Sequence, residues 1–428
     1  MSTEIKRVLQ GEPMRSEQFF PYVQELLNHG LVGYCLVMLD IEHFKLYNKW
    51  YGRSAGDQII KEIGSALTDT ADTVICYLGQ DDFCFLTPLN EAGINNIYQR
   101  IHLLVASGGV YFGFLPALGV CPIEAGDDIL DVFDKATLAM QTVKGNYRNR
   151  IRFYSPSMMQ TTEEEYRLLM DFQEGLEKEE LFFELQPQCE IATHQVVGAE
   201  ALARWRTTEG RLVPPVRFIP VLEKYGLITD LDQYIWEHVC RWLRCWLDAG
   251  HQSIPISVNV SKIDIVTIDV PSHFERLITQ YRLPVNALKI EITESSYADS
   301  TDEIQKTVQR LRALGFAVLM DDFGSGYSSL NMLCSLNFDI IKIDARFLHF
   351  NNADSKKGLQ ILEAVITMTR DMNLPIIVEG VETPEQAEFL SGLGCRYVQG
   401  YLLYCPMSVE KFEELFNTDN NIDYAGFA

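Results

Sequence analysis

Polar side chains stand at seven points where apolar runs of this 428-residue chain give way to polar residues. Glu200 closes the run that begins at Gln195, Asn259 follows residues 254–258, and Glu291 sits within residues 288–295. The pair Asp321 and Asp322 ends the run 316–320, and Lys342, Glu379 and Gln399 repeat the pattern. Any one of them alone is an ordinary strand-end polar group. Together they predict a single polar site at one face of a barrel. The ligand types are five carboxylates and one carboxamide, with no thiolate or imidazole, which favours hard cations, magnesium or manganese. Five converging carboxylates repel one another strongly unless cations offset them, so a site with two ions is expected. Two cations about 4 Å apart suit phosphodiester hydrolysis. Lys342 is placed to orient the attacking water or bind the phosphate, and Gln399 to hydrogen-bond the water. Glycines after the aspartate pair let the loop at 323–330 turn beside the site, and Glu294 is positioned to hold that loop.

Composition narrows the partners. A formal charge of −23 sets a repulsive field against long nucleic acid but leaves a small phosphorylated ligand open when metal ions hold it. The ten cysteines include no C-x-x-C pair and read as reduced, mostly buried thiols, and the eight histidines form no metal-type pairing. The first residues, Met-Ser-Thr-Glu-Ile-Lys, lack an apolar signal core, and no run approaches the roughly 18 apolar residues of a membrane span. A cytoplasmic chain is expected.

The elements that must position these residues divide into two α/β parts. Residues 1–155 predict a domain with a central sheet: a helix at 16–28, a strand at 33–40, a helix from about Gly56, strands at 73–78 and 82–86, and further alternation to Tyr154. A charged helical linker follows at 156–170, with a Thr-x-x-Glu pattern from Thr161 of the kind that opens a helix. From Leu181, eight strand-like runs (181–187, 195–202, 254–260, 288–293, 316–321, 340–343, 375–380 and 397–403), mostly separated by helical patterns, predict a (β/α)8 TIM-like barrel over 171–417. The connection 188–194 is too short for a parallel crossover, so the first strand pair should be antiparallel. Residues 418–428 have the composition of a loose tail.

From about Glu163 to Phe416 these segments resemble the EAL family of cyclic-di-GMP phosphodiesterases. The resemblance rests on Glu200-Ala-Leu202 with Arg204 and on the blocks at 185–188, 218–223, 257–261, 291–294, 321–327, 341–344, 378–383 and 398–402. It implies metal-dependent hydrolysis of cyclic di-GMP to linear pGpG, with Glu200, Asn259, Glu291, Asp321, Asp322 and Glu379 as ligands of two magnesium or manganese ions. It further implies that Gln186, Leu202 and Arg204 touch the substrate, that Lys342 and Gln399 assist the water, that Glu223 braces the site, and that the barrels form homodimers. Ser325 stands where the family usually has threonine, and Gln188 where an apolar residue is usual. The rival reading is a non-catalytic cyclic-di-GMP receptor signalling to a protein partner; a missing ligand would favour it, and none is missing.

The first 155 residues resemble the GGDEF diguanylate cyclase domain with a damaged central turn, Gly79-Gln-Asp-Asp-Phe83. Gln80 replaces a glycine, adding a side chain where the backbone should approach a nucleotide and disfavouring positive φ. Asp40 and Asp82 match metal-binding positions, Asn48 and Asp57 positions near guanine, and Lys144 and Arg148 positions near phosphates. Lys49 and Arg53 depart from the family's pattern, and Thr70 and Thr73 occupy its inhibitory R-x-x-D site. The resemblance implies a degenerate domain that is either a GTP-sensing regulator or a dimerising module; a bifunctional enzyme is disfavoured by Gln80.

Overall fold

A computed structural model describes residues 13–70, 72–107, 114–294, 301–324, 338–344 and 355–417. The tail at 418–428, the loop residues 325–330 and Cys334 lie outside the described residues. The chain forms two compact units, Met1–Arg167 and Leu168–Ala428.

In the first unit the sheet runs in the order β2-β3-β1-β4-β5, from β1 (Tyr34–Ile41), β2 (Val74–Gly79), β3 (Asp82–Pro88), β4 (Pro116–Pro122) and β5 (Ile151–Phe153). β1 is antiparallel to both β3 and β4, while β5 is parallel to β4. Successive β1 residues point to opposite faces: Cys35, Val37 and Leu39 enter one apolar cluster, Leu36 and Met38 another. The sheet is therefore covered on both sides, which is why β1 reads as an unbroken apolar run. Helix Ser16–Asn28 contributes Phe19, Val23 and Leu27, four residues apart, to the second cluster. Gly119 is needed where helix Ile129–Gln141 crosses β4, because a Cβ there would lie 2.0 Å from the Ala136 carbonyl oxygen.

Two local expectations are corrected. A helix at Phe44–Tyr51 stands where none was expected, entered through His43 at φ 63°, and the next helix starts at Arg53 rather than near Gly56. Thr161 does not open a helix. The helix runs from Pro156 to Glu177, and the Thr161 and Thr162 hydroxyls donate to the carbonyls of Ser157 and Met158 inside it. Proline at the first helical position, where no N–H is needed, supplies the start.

The second unit is a closed eight-strand barrel: β6 (Leu181–Glu190), β7 (Val196–Arg206), β9 (Ile256–Val260), β10 (Leu288–Thr293), β11 (Ala317–Phe323), β12 (Ile340–Ile343), β13 (Ile376–Val378) and β14 (Tyr397–Val398). A two-residue β8 (Leu212–Val213) pairs with the end of β7. β6 is antiparallel to both neighbours, β7 and β14, and the other ladders are parallel. The short 188–194 connection thus reverses one strand without opening the barrel. Outward residues such as Ile256, Ile290, Val318 and Ile341 pack against the surrounding helices in one large core. Inside, Leu319, Ile340, Ile377 and Tyr397 form an apolar floor. Two residues further along the strands the lining is polar, with Glu291, Lys342 and Gln399 buried there, while the buried Gln188, Ser257 and Lys289 share the level of the floor. No described helix is long and apolar enough to cross a membrane.

Candidate metal centre

The site is assembled from side chains that successive strands, or the residues just past their ends, contribute to the barrel's inner face. Lys342 on β12 is completely buried and its ammonium touches four carboxylates: Glu291 at 2.6 Å, Glu379 at 2.7 Å, Glu200 at 3.0 Å and Asp321 at 3.3 Å. Asn259 donates to Glu200 Oε1 at 3.1 Å, and Gln399 donates to Glu200 Oε2 at 2.7 Å. Gln399 also donates to Gln186 Oε1 at 3.1 Å and accepts from Gln188 at 3.1 Å. The residue after it is glycine because the chain at Val381 passes so close that a Cβ on Gly400 would lie 2.2 Å from the Val381 carbonyl oxygen.

Adjacent strand residues normally face opposite ways, yet Asp321 and Asp322 both reach the site. A register shift between β11 and β12 at Met320 to Phe323, with Asp322 at φ 56°, turns the second aspartate inward. The Asp322 N–H donates to Asp321 Oδ1 at 2.8 Å, and the buried Glu294 accepts from the Gly324 N–H at 2.7 Å just beyond the bulge. Two acidic groups result, Glu200 with Glu291 and Asp321, and Asp321 with Asp322 and Glu379, each with ligand oxygens within 4.8 Å of one another. They share Asp321.

Burial sets the protonation of this cluster. It pushes Glu379 up to about 8 and Glu291 well above the usual carboxylate range, with Lys342 pulling back and neighbouring carboxylates adding to the rise. Asp321 is likewise raised by burial. Glu200 is also opposed by burial, but Lys342, Gln399 and Asn259 together hold it below its ordinary value. Burial works against the Lys342 charge, and the surrounding carboxylates outweigh it, keeping the ammonium protonated.

Two cavities open onto the cluster and share Leu202, Asp321 and Asp322. One, about 400 Å³, is lined by Gln186, Glu200, Glu379 and Gln399, with Asp344, Glu382 and Tyr401 at its rim. The other, about 560 Å³, carries Arg204, Glu223, Asp232 and Asn259. Arg204 is held by Glu184 at 2.7 Å. A larger cavity, about 1030 Å³, lies among Gly315, Asp339, Pro375 and Arg396 and includes none of the clustered carboxylates.

In the first unit, Lys144 bridges Asp40 at 2.8 Å, and the Asp82 carboxyl is raised by burial and then by the neighbouring Asp40. Asp81 accepts from the Ile41 N–H at 3.3 Å and is pushed up to about 6 by burial, then by Asp40 and Asp82. Asn48 Oδ1 lies against Gly56, where a Cβ would come within 1.9 Å, and Asp57 is exposed. Arg148 is exposed as well. The expectation that glutamine would avoid positive φ is corrected: Gln80 adopts φ 55°, with its carbonyl accepting from the Tyr77 hydroxyl at 3.0 Å. Gln80 thus stands in the turn joining β2 and β3 in a left-handed conformation.

The family model described as EAL domain matches residues 170–406, more than half of the chain. The chain belongs to the EAL domain family. The model described as diguanylate cyclase, GGDEF domain, matches residues 18–150, so the two domains stand in tandem. Among curated relatives, the bifunctional diguanylate cyclase/cyclic di-GMP phosphodiesterase MucR of Pseudomonas aeruginosa is 31% identical over 393 residues, covering 88% of this chain and 56% of MucR. The cyclic di-GMP phosphodiesterase NbdA of the same organism is 31% identical over 416 residues, covering 95% of this chain and 53% of NbdA. The chain thus spans little more than half the length of these relatives. A solved structure, the PaMucR phosphodiesterase in complex with c-di-GMP, is 35% identical with a TM-score of 0.55, covering 57% of this chain and 99% of that one.

Some residues of the EAL barrel escaped the sequence reading. Lys289, buried inside the barrel two residues before Glu291, is pulled down to about 7 by burial. Its signal is the alternation of Lys289 with Glu291 in an otherwise apolar strand. Asp344 and Glu382 follow Lys342 and Glu379 by two and three residues, and that spacing places them at the same rim.

Proposed function

We propose that this chain hydrolyses cyclic di-GMP to linear pGpG in its EAL barrel, using two divalent cations, magnesium or manganese. The observation that carries the reading is the pair of acidic groups joined through Asp321. All their donors are oxygens, as hard cations require, and the buried Glu291 Oε1 has no hydrogen-bond partner among the described residues, a costly state that a cation would relieve. Glu200, Asn259, Glu291, Asp321, Asp322 and Glu379 would hold the ions. When bound, the cations would acidify a water and offset phosphate charge. The remaining groups act on substrate and water: Gln186, Leu202 and Arg204 line the two cavities and bind the cyclic dinucleotide, whose two nucleotide lobes suit paired cavities on either side of the acidic cluster. Lys342 and Gln399 orient the water, Glu223 braces the second cavity, and Glu294 fixes the backbone after Asp322. A family likeness to proteins named as phosphodiesterases, and a related structure described as a c-di-GMP complex, support the same reading.

For the first unit we infer a regulatory role without cyclase activity. Gln80 adds a side chain at the central turn, and Lys144 already neutralises Asp40. Its partner is GTP if it senses nucleotide, or a second copy of the chain if it mediates dimerisation. Cytoplasmic residence belongs to the same reading. Chromatography of cyclic di-GMP incubated with the full chain and Mn2+ or Mg2+, with and without chelator and GTP, tests it. Metal-dependent pGpG is expected, and faster turnover with GTP would identify the sensor. Tight binding of cyclic di-GMP without product would move the protein to the receptor class.

A further inference from the structure

Gln188 is fully buried on β6, yet only its amide nitrogen has work to do: it donates to Gln399 Oε1 at 3.1 Å, while its own Oε1 has no hydrogen-bond partner among the described residues. An orphaned buried carbonyl costs roughly 1–3 kcal/mol, so an apolar side chain of the same size would be the more stable occupant if packing were the only demand. Space is reserved for it. The facing residue is Gly198, where a Cβ would stand 3.2 Å from Gln188 Oε1 and 3.0 Å from the Pro255 carbonyl. A register shift in the β6–β7 ladder falls at this same place.

The bond it makes anchors the oxygen end of another carboxamide, whose nitrogen end the acceptor-only Glu200 already claims. Gln399 has one acceptor end and one donor end. Its oxygen accepts from Gln188, and its nitrogen donates to Glu200 Oε2, at 2.7 Å, and Gln186 Oε1, at 3.1 Å. Turned over, Gln399 would set its carbonyl against the Glu200 carboxylate and lose its bonds to Glu200 and Gln186, and Gln188 would have to turn over as well to meet it with its own Oε1. We propose that Gln188 is a positioning residue that anchors the Oε1 end of Gln399, steadies its N–H groups against Glu200, and thereby sets the geometry of the water-binding side of the site. The proposal rests on the phosphodiesterase reading.

Replacing Gln188 with Met keeps the length and removes the donor. In the full chain with Mn2+, Q188M is expected to lower kcat for cyclic di-GMP about tenfold, equivalent to about 1.4 kcal/mol, with KM within about twofold of wild type. The deciding arm is a double-mutant cycle in single-turnover mode with enzyme in excess, so that slow variants stay measurable. Because Gln188 acts only through Gln399, Q188M should cost nothing further in a Q399A background. Should Q188M fail to fold, Q188N, which keeps the amide but falls one methylene short of Gln399, serves in its place. Wild-type kcat in the folded variant, or the same fold loss in both backgrounds, overturns the proposal alone. A wild-type chain that makes no pGpG overturns the phosphodiesterase reading and this proposal with it.

Discussion

Lys342→Met is the perturbation with the largest consequence written into the structure. The ammonium contacts four carboxylates between 2.6 and 3.3 Å with no solvent exposure of its own. Removing one member of a buried ionic cluster costs about 3–5 kcal/mol, because the remaining charges stay desolvated and unpaired. The carboxylates can escape part of that cost by taking up protons, each unit of pKa rise being worth about 1.4 kcal/mol. Since their folded-state pKa values already lie above those of the unfolded chain and would rise further without Lys342, the penalty is small below the unfolded carboxylate range and grows as pH rises through the folded values. The variant should therefore lose about 3–5 kcal/mol of barrel stability at pH 8 in chelator, and markedly less at pH 5.5. Saturating Mn2+ should recover about 3 kcal/mol if it reaches 100 times its dissociation constant. Urea unfolding followed by tryptophan fluorescence reads this, since Trp205, Trp236, Trp242 and Trp246 all lie in the barrel. A loss that is independent of pH and unaffected by metal, or no loss at all, would refute the reasoning.

The other predictions concern the same groups and the first unit. Because burial pushes Glu379 up to about 8 and also raises Glu291 and Asp321, cation binding should expel at least the Glu379 proton, and Mn2+ affinity should strengthen up to about tenfold per pH unit between pH 6.5 and 8. Titration calorimetry in buffers of different ionisation enthalpy counts the protons, and a flat affinity with no proton release would contradict the assignment. Gln80→Gly should relieve the left-handed backbone at φ 55° and, after the added flexibility of glycine, stabilise the 74–88 hairpin by about 0.5–1 kcal/mol. Slower hydrogen exchange across that hairpin is expected, and faster exchange would show that the turn is not strained. Glu200→Gln should lower pGpG formation by orders of magnitude in a chain that still folds, as read by far-UV circular dichroism; turnover near that of wild type would remove Glu200 from the ligand set.

Much of the barrel was legible because its strands are apolar runs ended by single polar residues, and each such end falls near the inner face of the closed sheet. The antiparallel first strand followed from chain length alone, since seven residues cannot make a parallel crossover. What the pattern hid was irregular backbone. Nothing in the period-two reading says that Asp322 shares a face with Asp321; a bulge and a left-handed residue put it there. Gln188 was visible only as an odd residue after proline, because its role depends on Gln399, more than 200 positions away and adjacent only once the barrel closes. Thr161 was misread because local hydroxyl chemistry looks alike at a helix start and inside one, and the Ser155-Pro156 pair that marks the true start was passed over.

The central claim is that six oxygen-donor residues at one end of the barrel hold two cations. Anomalous diffraction at the manganese edge, from crystals of the full chain grown with Mn2+, tests it most directly. The account predicts two peaks about 4 Å apart, one bounded by Glu200, Glu291 and Asp321 and the other by Asp321, Asp322 and Glu379. No peak among these residues at saturating Mn2+, or manganese bound only elsewhere, would contradict it.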